Sequence, residues 1–177
     1  CVTEKNGYHK LAICLIKIIR SLDCHLPIEI FYGKGEMNSN TINFFNKQKG
    51  VKCINLNYIL NSDFNFSGYQ IKPFGVLFSS FEEVILIDAD SIVFQNIENL
   101  FYDRKYLETG CLFFYDQQNK KIHTNNTIKF IKDHISNDFS ITYSKRYYEQ
   151  CSSLLLFNKK KRWFSLLSIC GLNYNHK

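Results

Sequence analysis

Four branched apolar residues in a row, Val84-Ile85-Leu86-Ile87, lie between Glu83 and the triplet Asp88-Ala89-Asp90. A half-solvated strand alternates apolar and polar residues, and a surface helix breaks an apolar run at every second or third position. This run does neither, so it reads as a strand buried on both faces, as in a parallel sheet. Two carboxylates then stand at its carboxyl end.

The flanking sequence supplies the rest of such a domain. From Gly7 to Leu22 the residues Leu11, Ala12, Leu15, Ile18, Ile19 and Leu22 recur at spacings of three and four, which predicts an amphipathic helix. Pro27 to Tyr32 and Val51 to Asn55 read as strands, with a short helix over 39–48 between them. Gln70 to Phe81 is a second helical stretch, with Pro73 in its first turn, where a missing N–H costs little. Cys111 to Tyr115 and Ser153 to Phe157 are further strands, and Asn125 to Ile135 and Lys160 to Cys170 further helices. The stretches 61–68 and 118–125 are polar loops. Alternating strands and helices predict an α/β domain with a mixed, mostly parallel sheet, whose ligands bind beyond the carboxyl ends of the strands. At 177 residues the chain reads as a single domain, 1–177.

Composition narrows the function classes. Aromatics make up 16% and hydrophobic residues 45%, which excludes a disordered chain. The net charge of +6 suits an anionic small molecule. No ordered basic stripe or stacking strand supports nucleic-acid binding. No apolar run is long enough to cross a membrane. The seven cysteines lack a CxxC pair, so a zinc ribbon is not indicated, and buried free thiols compete with lumenal pairing. Two Asn-x-Ser/Thr triplets, Asn65-Phe66-Ser67 and Asn125-Asn126-Thr127, point weakly to a secretory compartment. The five histidines show no metal spacing and read as surface residues.

Asp88 and Asp90 carry the chemistry. Paired carboxylates at the mouth of a core need a compensating cation. Mg²⁺ or Mn²⁺ suits oxygen ligands and commonly adds waters and substrate phosphate oxygens. The competing arrangement has Asp88 paired with a lysine and Asp90 capping the turn. Haloacid-dehalogenase phosphatases also place Asp-x-Asp after a buried strand, but their pattern wants Thr or Val where this chain has Ile92.

The longer context is more specific. The segment 69–90, with Ser79-Ser80-Phe81-Glu82-Glu83-Val84 leading to Asp88-Ala89-Asp90, resembles the fungal MNN1-type α-1,3-mannosyltransferases. The resemblance continues through Tyr106-Leu107-Glu108-Thr109-Gly110 and through 149–159, where Asn158 stands in place of an Asp. It implies a GT-A glycosyltransferase fold, an α/β/α sandwich, and transfer of mannose from GDP-mannose to a mannoside acceptor in protein glycosylation. It further implies Mn²⁺ (or Mg²⁺) on Asp88 and Asp90, with Asp88, Ala89 and Asp90 also meeting the donor. Lys72 would reach the diphosphate or the first Asp. Gly7 and Tyr8 would flank the nucleotide base, and Glu149 would lie near the donor sugar as a catalytic residue. Glu108, Thr109 and Gly110 would shape the strand edge.

The resemblance also implies a Golgi membrane protein with a lumenal catalytic domain, anchored through a segment outside these residues. Its partners would be a nucleotide-sugar donor and a glycan acceptor. The chain reads as an internal fragment, truncated at both ends, whose third metal ligand would come from a later region. Two alternatives remain open: a UDP-sugar-dependent GT-A transferase, and a non-catalytic remnant of such a domain.

Overall fold

A computed structural model describes residues 1–60, 66, 68–115 and 150–175. The chain divides into a main compact unit, Cys1–Leu112 with Ser153–Lys177, and a smaller one, Phe113–Ser152. Of the smaller unit only 113–115 and 150–152 are described. Glu149, His123, the helix expected over Asn125 to Ile135, and the acceptor asparagines Asn65 and Asn125 lie outside the described residues.

The main unit opens with helix α1 (Tyr8–Ser21), which starts after Gly7 in a left-handed conformation, φ +76°. Its buried stripe is Ala12, Leu15, Ile16 and Ile19, while Leu11 is exposed. The Arg20 guanidinium donates from Nη1 to the carbonyls of Cys24 (2.8 Å) and Leu26 (3.0 Å), which turns the chain into the first strand. Strands β1 (Ile28–Tyr32) and β2 (Val51–Asn55) pair in parallel, from Ile28 opposite Val51 to Tyr32 opposite Asn55. The crossover between them is α2 (Ser39–Asn46), capped by the Asn38 side chain, which accepts from Thr41 N–H at 2.9 Å. A short helix, α3 (Leu56–Leu60), follows β2.

Helix α4 (Ile71–Phe78) contains Pro73 in its first turn, as expected, and ends at Phe78 rather than Phe81. The earlier stop has a cause. Ser79 and Ser80 turn their hydroxyls onto the Glu29 carboxylate, at 2.8 and 2.6 Å, and pull the backbone out of the helix. Strand β3 (Glu83–Ile87) follows. A 3-10 turn, Ile97–Tyr102, leads into α5 (Arg104–Thr109), then β4 (Cys111–Tyr115), β5 (Gln150–Asn158) and α6 (Trp163–Asn175). The second sheet runs in the order β3-β5-β4.

The fold class is therefore mixed α/β, with two differences from the sequence expectation. β3 pairs antiparallel with β5, from Glu83 opposite Asn158 to Ile87 opposite Leu154. The strands also form two small sheets, because among the described residues none joins β1 to β3. This explains why β3 is not buried on both faces: Val84 is buried, but Ile85, Leu86 and Ile87 are only half-buried. Three apolar clusters form the core, centred on Phe31 with Phe74 and Leu156, on Val2 with Ile30 and Phe45, and on Leu15 with Ile19 and Cys24. Cys1, Cys14, Cys24, Cys53, Cys111 and Cys170 are free thiols, and no described helix is long and apolar enough to cross a membrane.

Candidate functional site

β3 delivers Asp88 just past its last paired residue, and the Asp88 N–H donates to Ser153 O at 2.8 Å. That bond fixes the carboxyl group at the end of the strand. Helix α4 places Lys72 in its first turn, with Nζ 2.7 Å from Asp88 Oδ2. Both side chains are largely buried, 16% and 22% exposed, so their attraction is screened less than at a free surface.

The next two residues diverge. Ala89 turns inward, 6% exposed, into the cluster that holds Val2, Ile30 and Phe45. Asp90 is exposed, in a turn closed by Ser91 N–H on Asp88 O at 3.1 Å. Among the described residues nothing donates to the Asp90 carboxylate. The two acidic groups therefore differ: one is held by an ammonium, the other is open to solvent. The lysine pairing weighed in the sequence is present at Asp88, whereas Asp90 does not cap the turn.

A hard divalent cation is compatible with this donor set, but only in part. Among the described residues no three His, Cys, Asp or Glu side chains come together as a metal cage. The available ligands are the Asp90 carboxylate and the Asp88 oxygen turned away from Lys72. A cation that keeps its waters and takes substrate phosphate oxygens needs no more from the protein. Lys72 adds a fixed positive charge to the same corner.

The other expected residues fall on both sides of this corner. Tyr8 begins α1 and packs, partly buried, against the cluster that contains Ala89. Gly7 caps that helix, with open space where a Cβ would stand. Lys72 and Asp88 touch, and Tyr8 and Ala89 share a cluster. His9 departs from the surface position expected of it: its Nδ1 is buried without a partner.

Two carboxylates prove structural, and sequence reasoning assigned them no partners. Glu29, on β1, accepts both serine hydroxyls and the Ser80 N–H (3.1 Å). Glu83, on β3, accepts from the Tyr106 hydroxyl at 2.7 Å and from Asn158 Nδ2 at 3.0 Å. Burial, followed by the Glu83 carboxylate, pushes the Tyr106 phenol pKa up. Asn158 Oδ1 in turn accepts from Lys161 N–H at 2.9 Å. The Ser-Ser-Phe-Glu-Glu-Val segment thus ties β1, α5 and β5 to β3. Glu108 pairs with Arg104 on the surface, and Thr109 Oγ1 donates within its own turn, in keeping with a structural role.

Comparison with known proteins decides the family. The mannosyltransferase model Mannosyl_trans3 matches residues 2–177. The chain belongs to this family. Within it, α-1,2-mannosyltransferase MNN21 of Candida albicans is 35% identical over 133 residues, covering 64% of this chain and 20% of that protein. α-1,2-Mannosyltransferase MNN2 of Saccharomyces cerevisiae is 31% identical over 120 residues, covering 64% of this chain and 20% of that protein. α-1,2-Mannosyltransferase MNN5 of the same yeast is 29% identical over 157 residues, covering 76% and 26%. The mannosyltransferase-family chain thus spans about a quarter or less of the length of these relatives. The family's names carry both α-1,2 and α-1,3 linkages.

Proposed function

We propose that this chain is part of the catalytic domain of a mannosyltransferase of the GT-A type, one that takes mannose from GDP-mannose and passes it to a mannoside on a glycoprotein. The observation that carries this reading is the family match over 2–177, a range that includes an Asp-x-Asp whose second carboxylate is open to solvent at the end of β3. Lys72 and Asp88 fix one corner of the donor site. Asp90, together with the outer oxygen of Asp88, would hold Mn²⁺ or Mg²⁺. When bound, such a cation offsets the charge on the departing nucleoside diphosphate.

The protein's own contribution is positional. The Lys72 ammonium, which holds Asp88, would also meet a phosphate oxygen of the donor. Tyr8 and Gly7, at the start of α1, are the candidates for contact with the nucleotide base. The acceptor hydroxyl attacks the anomeric carbon as the diphosphate leaves, and Glu149 is the proposed residue near the donor sugar. The proposed setting is the Golgi lumen.

The test is a transfer assay with Mn²⁺, an α-mannoside acceptor and either GDP-mannose or a UDP-sugar. Product from GDP-mannose alone is expected. Product only from the UDP-sugar overturns the donor assignment. No product, together with no nucleotide binding, points to a non-catalytic remnant.

A further inference from the structure

The loop that follows β1, residues 33–38, is held from several sides. Glu36 N–H donates to Gly33 O at 3.2 Å, and Glu36 Oε2 accepts from Gly33 N–H at 2.7 Å, so one residue closes the turn twice. Lys34 N–H donates to Asn57 Oδ1, on α3, at 2.8 Å. Glu36 O accepts from Glu4 N–H at 2.8 Å, just before Gly7 and Tyr8. Met37 is buried in the cluster that also holds Ala89, the residue between the two aspartates. The loop is therefore a fixed point beside the candidate site.

A second segment leans on this loop. Gly33 is buried, and a Cβ there would fall 2.0 Å from Phe66 O, closer than any side chain allows. Gly33 is not among the residues with positive φ, so this approach alone requires the glycine. Two positions after Phe66, Gly68 N–H donates to the other oxygen of Glu36, Oε1, at 3.4 Å. The Glu36 carboxylate thus bridges Gly33 and Gly68, one oxygen to each, where the backbones at 33 and 66 touch.

There is no slack between Gly68 and the site. The 3-10 turn Gly68–Gln70 runs directly into α4 at Ile71, and Lys72 is the second residue of that helix. Phe66 also meets Phe74 of α4 edge to face, with ring centroids 4.8 Å apart. Farther along, α4 passes against β1: a Cβ on Gly75 would lie 3.3 Å from the Phe31 ring. The helix is therefore attached to β1 at its middle through Phe31 and at its entry through Glu36. Two attachments fix the tilt of a short helix, and the tilt sets where Lys72 Nζ lies relative to Asp88.

We propose that Glu36 is a positioning residue of the donor site: its carboxylate seats the entry of α4 on the loop after β1, and so holds the Lys72 ammonium where a phosphate of the donor meets it. The proposal rests on the reading of this corner as a nucleoside-diphosphate site. Glu36 acts through Lys72 rather than on the donor, because both of its oxygens already accept backbone N–H groups. Hydrogen bonds to an ionised acceptor are stronger than neutral ones, so one side chain is enough to hold the two segments together. Without it the entry of α4 moves, and Lys72 meets Asp88 and the phosphate in a smaller fraction of conformations.

The test is a double-mutant cycle read in ligand affinity. GDP with Mn²⁺ is titrated calorimetrically into the unaltered chain, Glu36→Ala, Lys72→Met and the double variant, at a temperature where melts show all four folded. Glu36→Ala is expected to weaken binding about fivefold and Lys72→Met about tenfold. The double variant is expected to bind within about twofold of Lys72→Met alone, because Glu36 works through that ammonium. Glu36→Gln, which keeps one acceptor oxygen, should lose about threefold, and it carries the same cycle if Glu36→Ala does not fold. Losses that multiply in the double variant, or unchanged affinity in the Glu36 variants, overturn the positioning role and leave the donor site standing. Absence of GDP binding by the unaltered chain overturns the donor-site reading itself, and this proposal with it.

Discussion

Lys72 Nζ lies 2.7 Å from Asp88 Oδ2, across the gap between the first turn of α4 and the end of β3. The pair sits where the Asp88-Ala89-Asp90 turn leaves the end of β3. Removing either partner leaves a charge largely out of water, whereas removing both leaves none.

Lys72→Met is therefore expected to cost about 1–3 kcal/mol of stability, from an uncompensated carboxylate. In the double variant with Asp88→Asn much of that loss is recovered. Urea unfolding of the four proteins gives the coupling energy. Strict additivity would mean that the contact contributes nothing.

The Glu83 network makes a second prediction. Asn158→Asp replaces the Nδ2 donor that faces Glu83 with an acceptor, and places two carboxylates within about 3 Å. The variant should be destabilised by about 2 kcal/mol or more at pH 7, and should recover as acid protonates the pair. Tyr106→Phe removes only one donor to Glu83 and should cost about 1–2 kcal/mol. Chemical denaturation at pH 5 and pH 7 separates the two cases.

Gly110 caps α5 at φ +74°, and a Cβ there would lie 2.9 Å from Lys161 Cβ. Gly7 has a similar φ but open space around it. Gly7→Ala should cost about 1 kcal/mol from backbone strain alone, and Gly110→Ala visibly more. Equal losses in thermal melts would contradict the close approach.

Alkaline stability has a definite sign. Burial pushes the Cys170 and Cys53 thiols up to about 11. An unfolded thiol titrates near about 8.5. The folded chain holds these protons more tightly, so their contribution is complete below about pH 8.5 and is lost as pH rises toward about 11. Stability should fall across that window, and the fall should be shallower in Cys170→Ala. A pH-independent unfolding midpoint from 8 to 11 would refute this assignment.

What was legible in the sequence follows the range of the physics. α1, β1, β2 and β3 emerge where the apolar period or run is long enough to fix the element. The link between Lys72 and Asp88 is readable because a helix and the strand after it are neighbours in sequence. α5 was not read as a helix: it has only six residues, and its signals are the Asp103 cap and Gly110. The contact of Glu29 with Ser79 spans 50 positions and has no local signature. The apolar run of β3 announces burial, but it cannot say which edge is paired. That is why a mixed, mostly parallel sheet was expected, and the antiparallel pairing of β3 with β5 was not read.

The central claim is that Asp88 and Asp90 together bind a cation and a nucleoside diphosphate, and Asp90 is the cleaner probe because it is exposed and its carboxylate accepts no bond among the described residues. Calorimetric titration of GDP in the presence of Mn²⁺ should show binding to the unaltered protein. Asp90→Asn, with an unchanged melting temperature, should lose at least about tenfold in that affinity, which is about 1.4 kcal/mol. GDP binding of equal strength in both proteins, or binding indifferent to Mn²⁺, would contradict the account.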